Sequence, residues 1–254
     1  MKILQSRLLK HREQTSREEQ AGFRPGRGCC DQIFALRQLV EWYIRYGQQT
    51  VIAFIDFKSA FDCIDWTALW RTLEADHVPP KIISLLKSAY DGSTSLVRIQ
   101  SDFFDLDEFK IKTGVRQDDQ FVTDLMFADD SAIFVQDDAE AADILYDIAR
   151  HARPYGLKIS AKKTKVMTTD GSSATVYLED VQLEQVQKLK YLGSLIQEKK
   201  IAVTADIHSR IGQATAAFAS LRRCVWKNTN VTLSTKIHLY RSMILPILLY
   251  GSEA

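Results

Sequence analysis

The sequence predicts an α+β fold in which helices and strands are segregated along the chain rather than strictly alternating. The run 51–55 (VIAFI) is short and apolar, which is typical of a buried strand. Within 31–47 and 80–90, apolar residues recur at helical spacing. Between 125 and 135 (LMFADDSAIFV), two apolar runs flank a pair of acids, which indicates a β-hairpin.

Capping residues and turn signals set the expected boundaries of the first half. Asp31 is expected to cap a helix that ends near Gly47, and Asp65 to cap a second. Pro80 suits the first turn of a third helix. Strands are expected at 95–99 and 108–115. The second would have a basic face suited to a template backbone, although a solvated sheet face explains those charges equally well.

The second half begins with Asp137-Asp138, which lead into a helix that ends near Pro154. Short strands are expected around 157–159, 166–168, 176–178 and 191–196. Two helices close the chain, the second running from a Ser234 cap and kinked by Pro246. The first of them carries four apolar residues: Ile207, Ile211, Phe218 and Leu221.

Composition bounds the class of protein. At 254 residues and 46% hydrophobic, the chain can bury a substantial core as one domain or two intimate subdomains. A net charge of +1 does not favour a sequence-independent nucleic-acid binder. Four cysteines lack metal-ligand spacing, which favours reduced thiols. With neither a signal peptide nor a membrane-length apolar span, we expect an intracellular protein without membrane contact, in the nucleus or the cytoplasm.

Three carboxylates are the strongest chemical signal. Asp129 and Asp130 occupy the expected hairpin tip, and Asp56 directly follows the strand 51–55. If the two elements are neighbours, the acids converge and need a divalent cation to offset their repulsion, for which Mg²⁺ is suited. A plain turn explains the pair in isolation, and Asp56 alone could be a strand end or a helix N-cap.

The surrounding motifs resemble those of reverse transcriptases, in particular the non-LTR (LINE-type) retrotransposon polymerases. Residues 55–62 (IDFKSAFD) resemble motif A and 127–130 (FADD) motif C. Residues 20–28 with 31–33 resemble the fingers motif, and 113–117 (TGVRQ) the start of motif B. Residues 156–165 resemble motif D, 191–194 (YLGS) the primer grip and 249–253 the thumb region. These six motifs, followed by the thumb region, stand along the chain in the order that the family has, and that combination is highly specific.

This resemblance implies a right-hand polymerase architecture with fingers, an antiparallel palm sheet and a partial thumb. It assigns 1–50 and 66–118 to the fingers and upper palm, 51–65 and 119–200 to the palm, and 201–254 to the partial thumb. It implies RNA-directed DNA synthesis on an RNA template and a DNA primer, with deoxynucleoside triphosphates and two Mg²⁺ ions, for which Mn²⁺ could substitute. Oligomeric state is not implied.

Residue roles follow from the same resemblance. Asp56, Asp129 and Asp130 would be metal ligands, and Lys163 would donate a proton to pyrophosphate. The nucleotide-binding residues would be Phe57, Phe61, Gln117, Arg24 and Arg27, with Phe61 excluding a ribose 2′-hydroxyl. The primer grip would be Tyr191, Leu192 and Gly193.

Each of these roles has a simpler structural alternative. Phe61 could be a core aromatic, and Lys163 one of four lysines on a solvated loop. Arg24 and Arg27 could form surface salt bridges. Tyr191 and Gly193 are equally consistent with a strand turn and a core tyrosine.

The sequence departs from the family at motif B. Asp118 stands where the family has glycine, and motif C follows almost at once, so a palm segment is expected to be deleted. The chain also begins just before the fingers motif and stops within the thumb, which predicts a truncated relic. Two functions therefore remain: a reverse transcriptase, or an inactive remnant that at most binds nucleic acid or a protein. A general phosphohydrolase explains none of the motifs outside the acids.

Overall fold

The computed structural model describes residues 2–13, 20–22, 24–95, 109–115, 130–198 and 204–253. The helices and strands of the first half are α1 (Lys2–Arg12), α2 (Cys29–Arg45), β1 (Val51–Ile55), α3 (Ala60–Cys63), α4 (Trp66–Ala75), α5 (Pro80–Tyr90), β2 (Thr94–Ser95), β3 (Phe109–Lys110) and β4 (Ser131–Val135). Those of the second half are α6 (Asp138–Ala152), β5 (Lys165–Thr168), β6 (Tyr177–Leu178), β7 (Val181–Gln182), β8 (Glu184–Gln185), β9 (Lys188–Tyr191), β10 (Ser194–Gln197), α7 (Thr204–Ser220), α8 (Leu233–Leu239) and α9 (Leu245–Leu249). The mixture of helices with largely antiparallel strands confirms the expected α+β class.

The central sheet has the strand order β4-β1-β5-β8. Strand β1 is antiparallel to both of its neighbours, with Val51 opposite Val135 on one side and Thr168 on the other. The outer pair, β5 and β8, is parallel. All five residues of β1 are buried, which explains why its sequence is apolar throughout instead of alternating.

Two cores lie on opposite faces of this sheet. Ile52 and Phe54 pack with the buried face of α2 and with Tyr191. Val51 and Ile55 point the other way and pack with Leu145 of α6. The sheet is therefore a middle layer, and its ends are the positions at which polar side chains can reach solvent.

The predicted helix starts are mostly confirmed by capping geometry. Asp65 accepts a hydrogen bond from the Ala68 amide at 2.8 Å, and Asp137 accepts one from Glu140 at 2.9 Å. The prediction for α2 was wrong by three residues. Gly28 is the N-cap, and Asp31 in the first turn accepts the Gly28 amide at 2.8 Å.

Three strand predictions need correction. Residues 191–196 are not one strand: Tyr191 ends β9 and 194–196 lie in β10, and the two strands are joined by a turn at Leu192 and Gly193, whose φ angles are positive. Residues around 157–159 make only a single bridge, between Ile159 and Phe57. The strands expected at 95–99 and 108–115 shorten to β2 and β3, which pair with each other; the basic-face residue Arg116, like 96–108, lies outside the described residues.

The closing helices are present, but their packing differs from an apolar-stripe pattern. Ile207 and Ile211 of α7 are half exposed, whereas Asp206 and Arg210 of the same helix are buried. Thr232, rather than Ser234, caps α8. A π-helical turn over Tyr240–Ile244 precedes Pro246, whose missing N–H removes one helical hydrogen bond. No described helix is both long and apolar enough to cross a bilayer.

Candidate active site

Strand register brings two of the predicted acids to the same end of the sheet. Ile55 of β1 lies opposite Ser131 of β4. Asp56 follows Ile55 and Asp130 precedes Ser131, and because the strands are antiparallel both acids leave the sheet at that end. The register therefore brings Asp56 and Asp130 to the same end of the sheet, while Asp129 lies outside the described residues; their shared role stays a prediction.

Asp56 is held by the loop that precedes β5. Its amide donates to the Thr164 hydroxyl at 3.3 Å, and its carbonyl accepts the Ser160 amide at 2.8 Å. Thr164 is completely buried. These contacts fix the backbone of Asp56, so the direction of its carboxylate is set by the fold.

The Asp56 carboxylate is an incompletely satisfied acid. Its Oδ1 atom is shielded from solvent and accepts no hydrogen bond from the described residues. The Lys163 ammonium lies 3.2 Å from Oδ1 and 3.5 Å from Oδ2, so its charge compensates the carboxylate. A shielded carboxylate oxygen that accepts no hydrogen bond is the type of ligand that hard divalent cations take.

Geometry separates Lys163 from the other lysines of its loop. Lys165 pairs with Glu184 at 2.6 Å and also donates to the carbonyl of Lys162 at 2.9 Å. Lys163 instead reaches across to Asp56, although its side chain remains 64% exposed. Lys163, the position that resembles the motif D lysine, therefore contacts Asp56, and its role as a proton donor stays a prediction.

The two phenylalanines lie on the segment that follows Asp56. Phe57 bridges to Ile159 and is partly buried against the core on the α6 side, so packing accounts for it. Phe61 lies in α3 and is half-buried. Its carbonyl accepts the Val115 amide at 2.7 Å.

The start of motif B is attached to this same segment. Gly114 donates to the Ile64 carbonyl at 2.8 Å, and its own carbonyl accepts the Trp66 indole N–H at 2.7 Å. A side chain at Gly114 would begin 3.0 Å from the Asp62 carbonyl oxygen, so only glycine allows this approach. Gln117, two residues beyond Val115, lies outside the described residues.

The two fingers arginines have different surroundings. Arg24 pairs with Glu13 at 2.8 Å and donates to the Gln20 carbonyl at 3.2 Å. A hydrogen bond from Arg24 holds the pKa of the Glu13 carboxyl below its ordinary value. Arg24 thus makes the structural contacts of its simpler alternative. Arg27 lines a cleft that Asp130 also lines.

That cleft has a volume of about 680 Å³ and lies between α2 and β4. Asp130, Tyr191 and Arg27 are among its lining residues, together with Asp31 and Gln32. A larger cavity of about 990 Å³ lies between α4 and α5, lined by Trp66, Trp70 and Tyr90. It contains none of the described residues predicted for the site, so cavity size alone does not identify the site.

Tyr191 connects the predicted primer grip to the acids. Its ring lies 5.6 Å from that of Phe54, two residues before Asp56. Burial, followed by the charges of Asp130 and Cys29, raises the pKa of the Tyr191 phenol to about 12. Leu192 and Gly193 form the turn that follows, with φ angles of 46° and 79°.

Sequence reasoning missed a group of polar residues behind this turn. They share hydrogen bonds or ion pairs with the 192–195 backbone or with one another: Arg37, Ser194, Asp206, Arg210 and Tyr250. The spacing of Asp206 and Arg210 at i and i+4 was a signal, but the apolar residues of α7 suggested the opposite face.

Within the described residues, groups of three or more potential metal-ligating side chains do not occur.

The acids, the lysine and the turn stand in the order characteristic of one class of polymerase. The chain matches the family described as reverse transcriptase (RNA-dependent DNA polymerase) over residues 1–117 and 119–196. The protein belongs to the reverse transcriptase family. The match is interrupted at Asp118, where the sequence departs from motif B.

Its curated relatives include proteins of retrotransposable elements, which supports a reverse transcriptase domain of the non-LTR, LINE-type class. It is 32% identical over 141 residues to a transposon-derived protein of Caenorhabditis elegans, covering 52% of this chain and 48% of that protein. It is 25% identical to the 115 kDa protein of the type-1 retrotransposable element R1DM of Drosophila melanogaster, covering 92% of this chain and 25% of that protein. It is 24% identical to the "Probable RNA-directed DNA polymerase from transposon X-element" of the same species, covering 93% and 29%. The chain thus spans between about a quarter and a half of these relatives.

Proposed function

We propose that this protein is an RNA-directed DNA polymerase that transfers a nucleotide from a deoxynucleoside triphosphate to a primer 3′-hydroxyl on an RNA template. The observation that carries the proposal is the β1–β4 register, which brings Asp56 and Asp130 to one end of the sheet. Two carboxylates at the same end of neighbouring strands, one contacted by a lysine and the other lining a cleft, suit phosphoryl transfer.

Asp56, Asp129 and Asp130 are the residues that would hold divalent cations, Mg²⁺ first and Mn²⁺ as a substitute. The Oδ1 atom of Asp56 supports this assignment, because it is shielded from solvent and accepts no hydrogen bond from the described residues, although the Lys163 ammonium lies 3.2 Å away. Cations bound there would neutralise charge that develops on the α-phosphate and the pyrophosphate. Reverse transcriptases in general use divalent metal ions.

The other predicted residues would contribute through where they lie relative to the nucleotide and the leaving pyrophosphate. Lys163 already lies against Asp56, from where its ammonium can give a proton to the leaving pyrophosphate. Phe61 is five residues beyond Asp56 in α3 (61 − 56), where it can exclude a 2′-hydroxyl. Arg27 lines the cleft and offers a guanidinium to phosphate, and Gln117 would contact the incoming nucleotide.

We assign the fingers and upper palm to 1–50 and 66–118, the palm to 51–65 and 119–200, and part of the thumb to 201–254. In this arrangement the central sheet belongs to the palm, and the turn at Tyr191, Leu192 and Gly193 supports the primer terminus. The closing helices α7–α9 then correspond to the thumb, with RNA template and DNA primer lying between them and the fingers.

Primer extension on an RNA template, with Mg²⁺ or Mn²⁺, tests the proposal. We expect Asp56→Asn and Asp130→Asn to lower extension on the order of a hundredfold or more, since each removes a metal-ligating charge. The matched control is Asp143→Asn, because Asp143 is an exposed acid on α6 away from the site. Equal extension by wild type and Asp56→Asn would end the enzymatic hypothesis.

A catalytically inactive remnant is the second candidate. It is supported by Asp118, whose charge and side chain replace the glycine expected beside a nucleotide, and by the interruption of the family match there. A remnant would bind RNA with an affinity that falls steeply with salt while extending no primer. Salt-independent or undetectable binding would leave a protein-interaction role.

A further inference from the structure

The turn between β9 and β10 has a backbone that its own sequence does not favour. Leu192 has a φ of 46° and is followed by Gly193 at 79°. A leucine in the left-handed region persists only where surrounding contacts hold it. The Leu192 side chain is buried in the core shared with Tyr191 and Phe54, which supplies part of the restraint.

The rest of the restraint comes from two donors beyond residue 200. The Tyr250 hydroxyl donates to the Leu192 carbonyl at 2.8 Å. The Arg210 guanidinium donates to the next carbonyl, that of Gly193. Two consecutive carbonyls of one turn are therefore each bound by a side chain from the C-terminal helical region.

The two donors also contact each other and the turn. The Arg210 guanidinium carbon lies 4.6 Å from the centre of the Tyr250 ring, which is within cation–π range. A side chain added at Gly193 would begin 3.2 Å from the Tyr250 ring, so the ring packs directly on this glycine. Burial raises the pKa of the Tyr250 phenol, which keeps it a donor.

Asp206 lies beside Arg210 and joins three elements. Its carboxylate lies 3.8 Å from Arg210 Nε and 2.9 Å from Arg37 of α2. It also accepts hydrogen bonds from the Ser194 hydroxyl at 2.9 Å and from the Leu195 amide at 3.2 Å. All three charged side chains are at most 15% exposed, so their geometry is well constrained.

We propose that Arg210 and Tyr250 are positioning residues that couple helix α7 to the Leu192–Gly193 turn and so set where the primer terminus rests. The proposal rests on the proposed polymerase function. The coupling reaches the acids because Tyr191, the residue before the turn, packs on Phe54 of β1 and lines the cleft with Asp130. Neither Arg210 nor Tyr250 needs to touch a nucleotide for this role.

The test compares Tyr250→Phe and Arg210→Met with wild type. Tyr250→Phe keeps the ring and removes the hydroxyl that donates to the Leu192 carbonyl. We expect the KM for primer–template to rise about fivefold or more, with kcat and the KM for nucleotide unchanged, and amide exchange in the 192–195 peptide to speed up about tenfold. Arg210→Lys, which keeps a donor for Gly193, should fall between Arg210→Met and wild type.

Controls come from the same helical region: Tyr240→Phe and Arg241→Met remove an exposed hydroxyl and an exposed charge. Both should match wild type in KM and in exchange. Unchanged amide exchange at 192–195 in Tyr250→Phe would overturn this inference and leave the proposed function standing. Faster amide exchange with an unchanged KM for primer–template would do the same. A wild type that neither extends nor binds primer–template, measured by fluorescence anisotropy, would overturn the proposed function and this inference with it.

Discussion

At the scale of single residues, the contact between Lys163 and Asp56 decides how the acid site is charged. An ammonium 3.2 Å from Oδ1 supplies the positive charge that this shielded oxygen needs. A divalent cation at Asp56 would have to share the carboxylate with that ammonium or displace it. Lysine and metal are therefore expected to compete electrostatically.

Replacing Lys163 with methionine should strengthen Mn²⁺ binding. Removing one positive charge near the carboxylate should lower the dissociation constant for Mn²⁺ about threefold to tenfold at low salt. The effect is modest because Lys163 is largely solvated. Titration of the protein with Mn²⁺ followed by electron paramagnetic resonance measures this. Lys162→Met, an exposed neighbour, is the control; weaker or unchanged Mn²⁺ binding by Lys163→Met would contradict the competition.

Tyr191 should make stability depend on pH in the alkaline range. Burial raises the pKa of its phenol from about 10 to about 12, so the folded state holds the proton more tightly than the unfolded state. The stabilisation is complete below pH 10 and is lost as pH rises from about 10 to about 12, a change of about 2–3 kcal/mol.

Urea unfolding at pH 9.5 and 11.5 measures this effect. Tyr191→Phe should remove this contribution to the difference between the free energies of unfolding at the two pH values, since phenylalanine cannot ionise. Tyr146→Phe is the matched control, because Tyr146 is 63% exposed on α6. An identical pH dependence in wild type and Tyr191→Phe would refute the assignment.

At the scale of elements, tight backbone contacts attach the segment after Asp56 to the rest of the molecule. Gly156 has a φ of 79°, and a side chain there would begin 2.2 Å from the Cys63 carbonyl oxygen. The neighbouring Tyr155 carbonyl accepts the Asp65 amide at 3.0 Å. This contact brings the end of α6 against the helical turn that carries Phe61.

Gly156→Ala should destabilise the protein by about 2–4 kcal/mol, because backbone must move to admit the methyl group. Gly47→Ala is the matched control: its φ of 61° is also positive, but nothing lies within 4 Å of the added carbon. Gly47→Ala should lower the free energy of unfolding by only about 1 kcal/mol, which is the strain of an alanine in the left-handed region. Chemical denaturation gives both values, and equal losses would show that the Cys63 contact is unimportant.

At the scale of the whole molecule, a polar cluster joins α7 to α2 and to the β9–β10 hairpin. Asp206 is 6% exposed, whereas its neighbour Ile207 is 50% exposed. Removing the carboxylate would leave two buried guanidinium groups without this acid. The joint between the last helices and the sheet therefore depends on a buried ionic contact.

Asp206→Ala should lower the free energy of unfolding by about 3–5 kcal/mol. Ile207→Ala, although it removes more apolar surface, should cost less than about 1 kcal/mol because the side chain is half exposed. Urea unfolding of both variants tests which face of α7 is packed. A larger loss in the free energy of unfolding for Ile207→Ala than for Asp206→Ala would show that the apolar face of α7 is the packed one.

Sequence patterns alone determined the elements whose signals are local. Strand β1, the cap at Asp65, the helix that follows Asp137 and the helix begun by Pro80 follow from apolar runs and local signals, since these depend on near neighbours in the chain. The ordered motifs likewise determined the family. They also predicted that Asp56 would lie beside motif C, because the family's order of strands is inherited with its motifs.

Only the tertiary structure decided which partners meet over long separations. Which of four lysines reaches Asp56, and which face of α7 is buried, depend on contacts between residues more than a hundred positions apart, such as Arg37 with Asp206. Hydrophobic periodicity predicts that apolar faces are buried, but a buried ionic cluster that also bonds to backbone and hydroxyl groups can outweigh it. Such contacts depend on three-dimensional geometry, and they have no periodic signature in the chain.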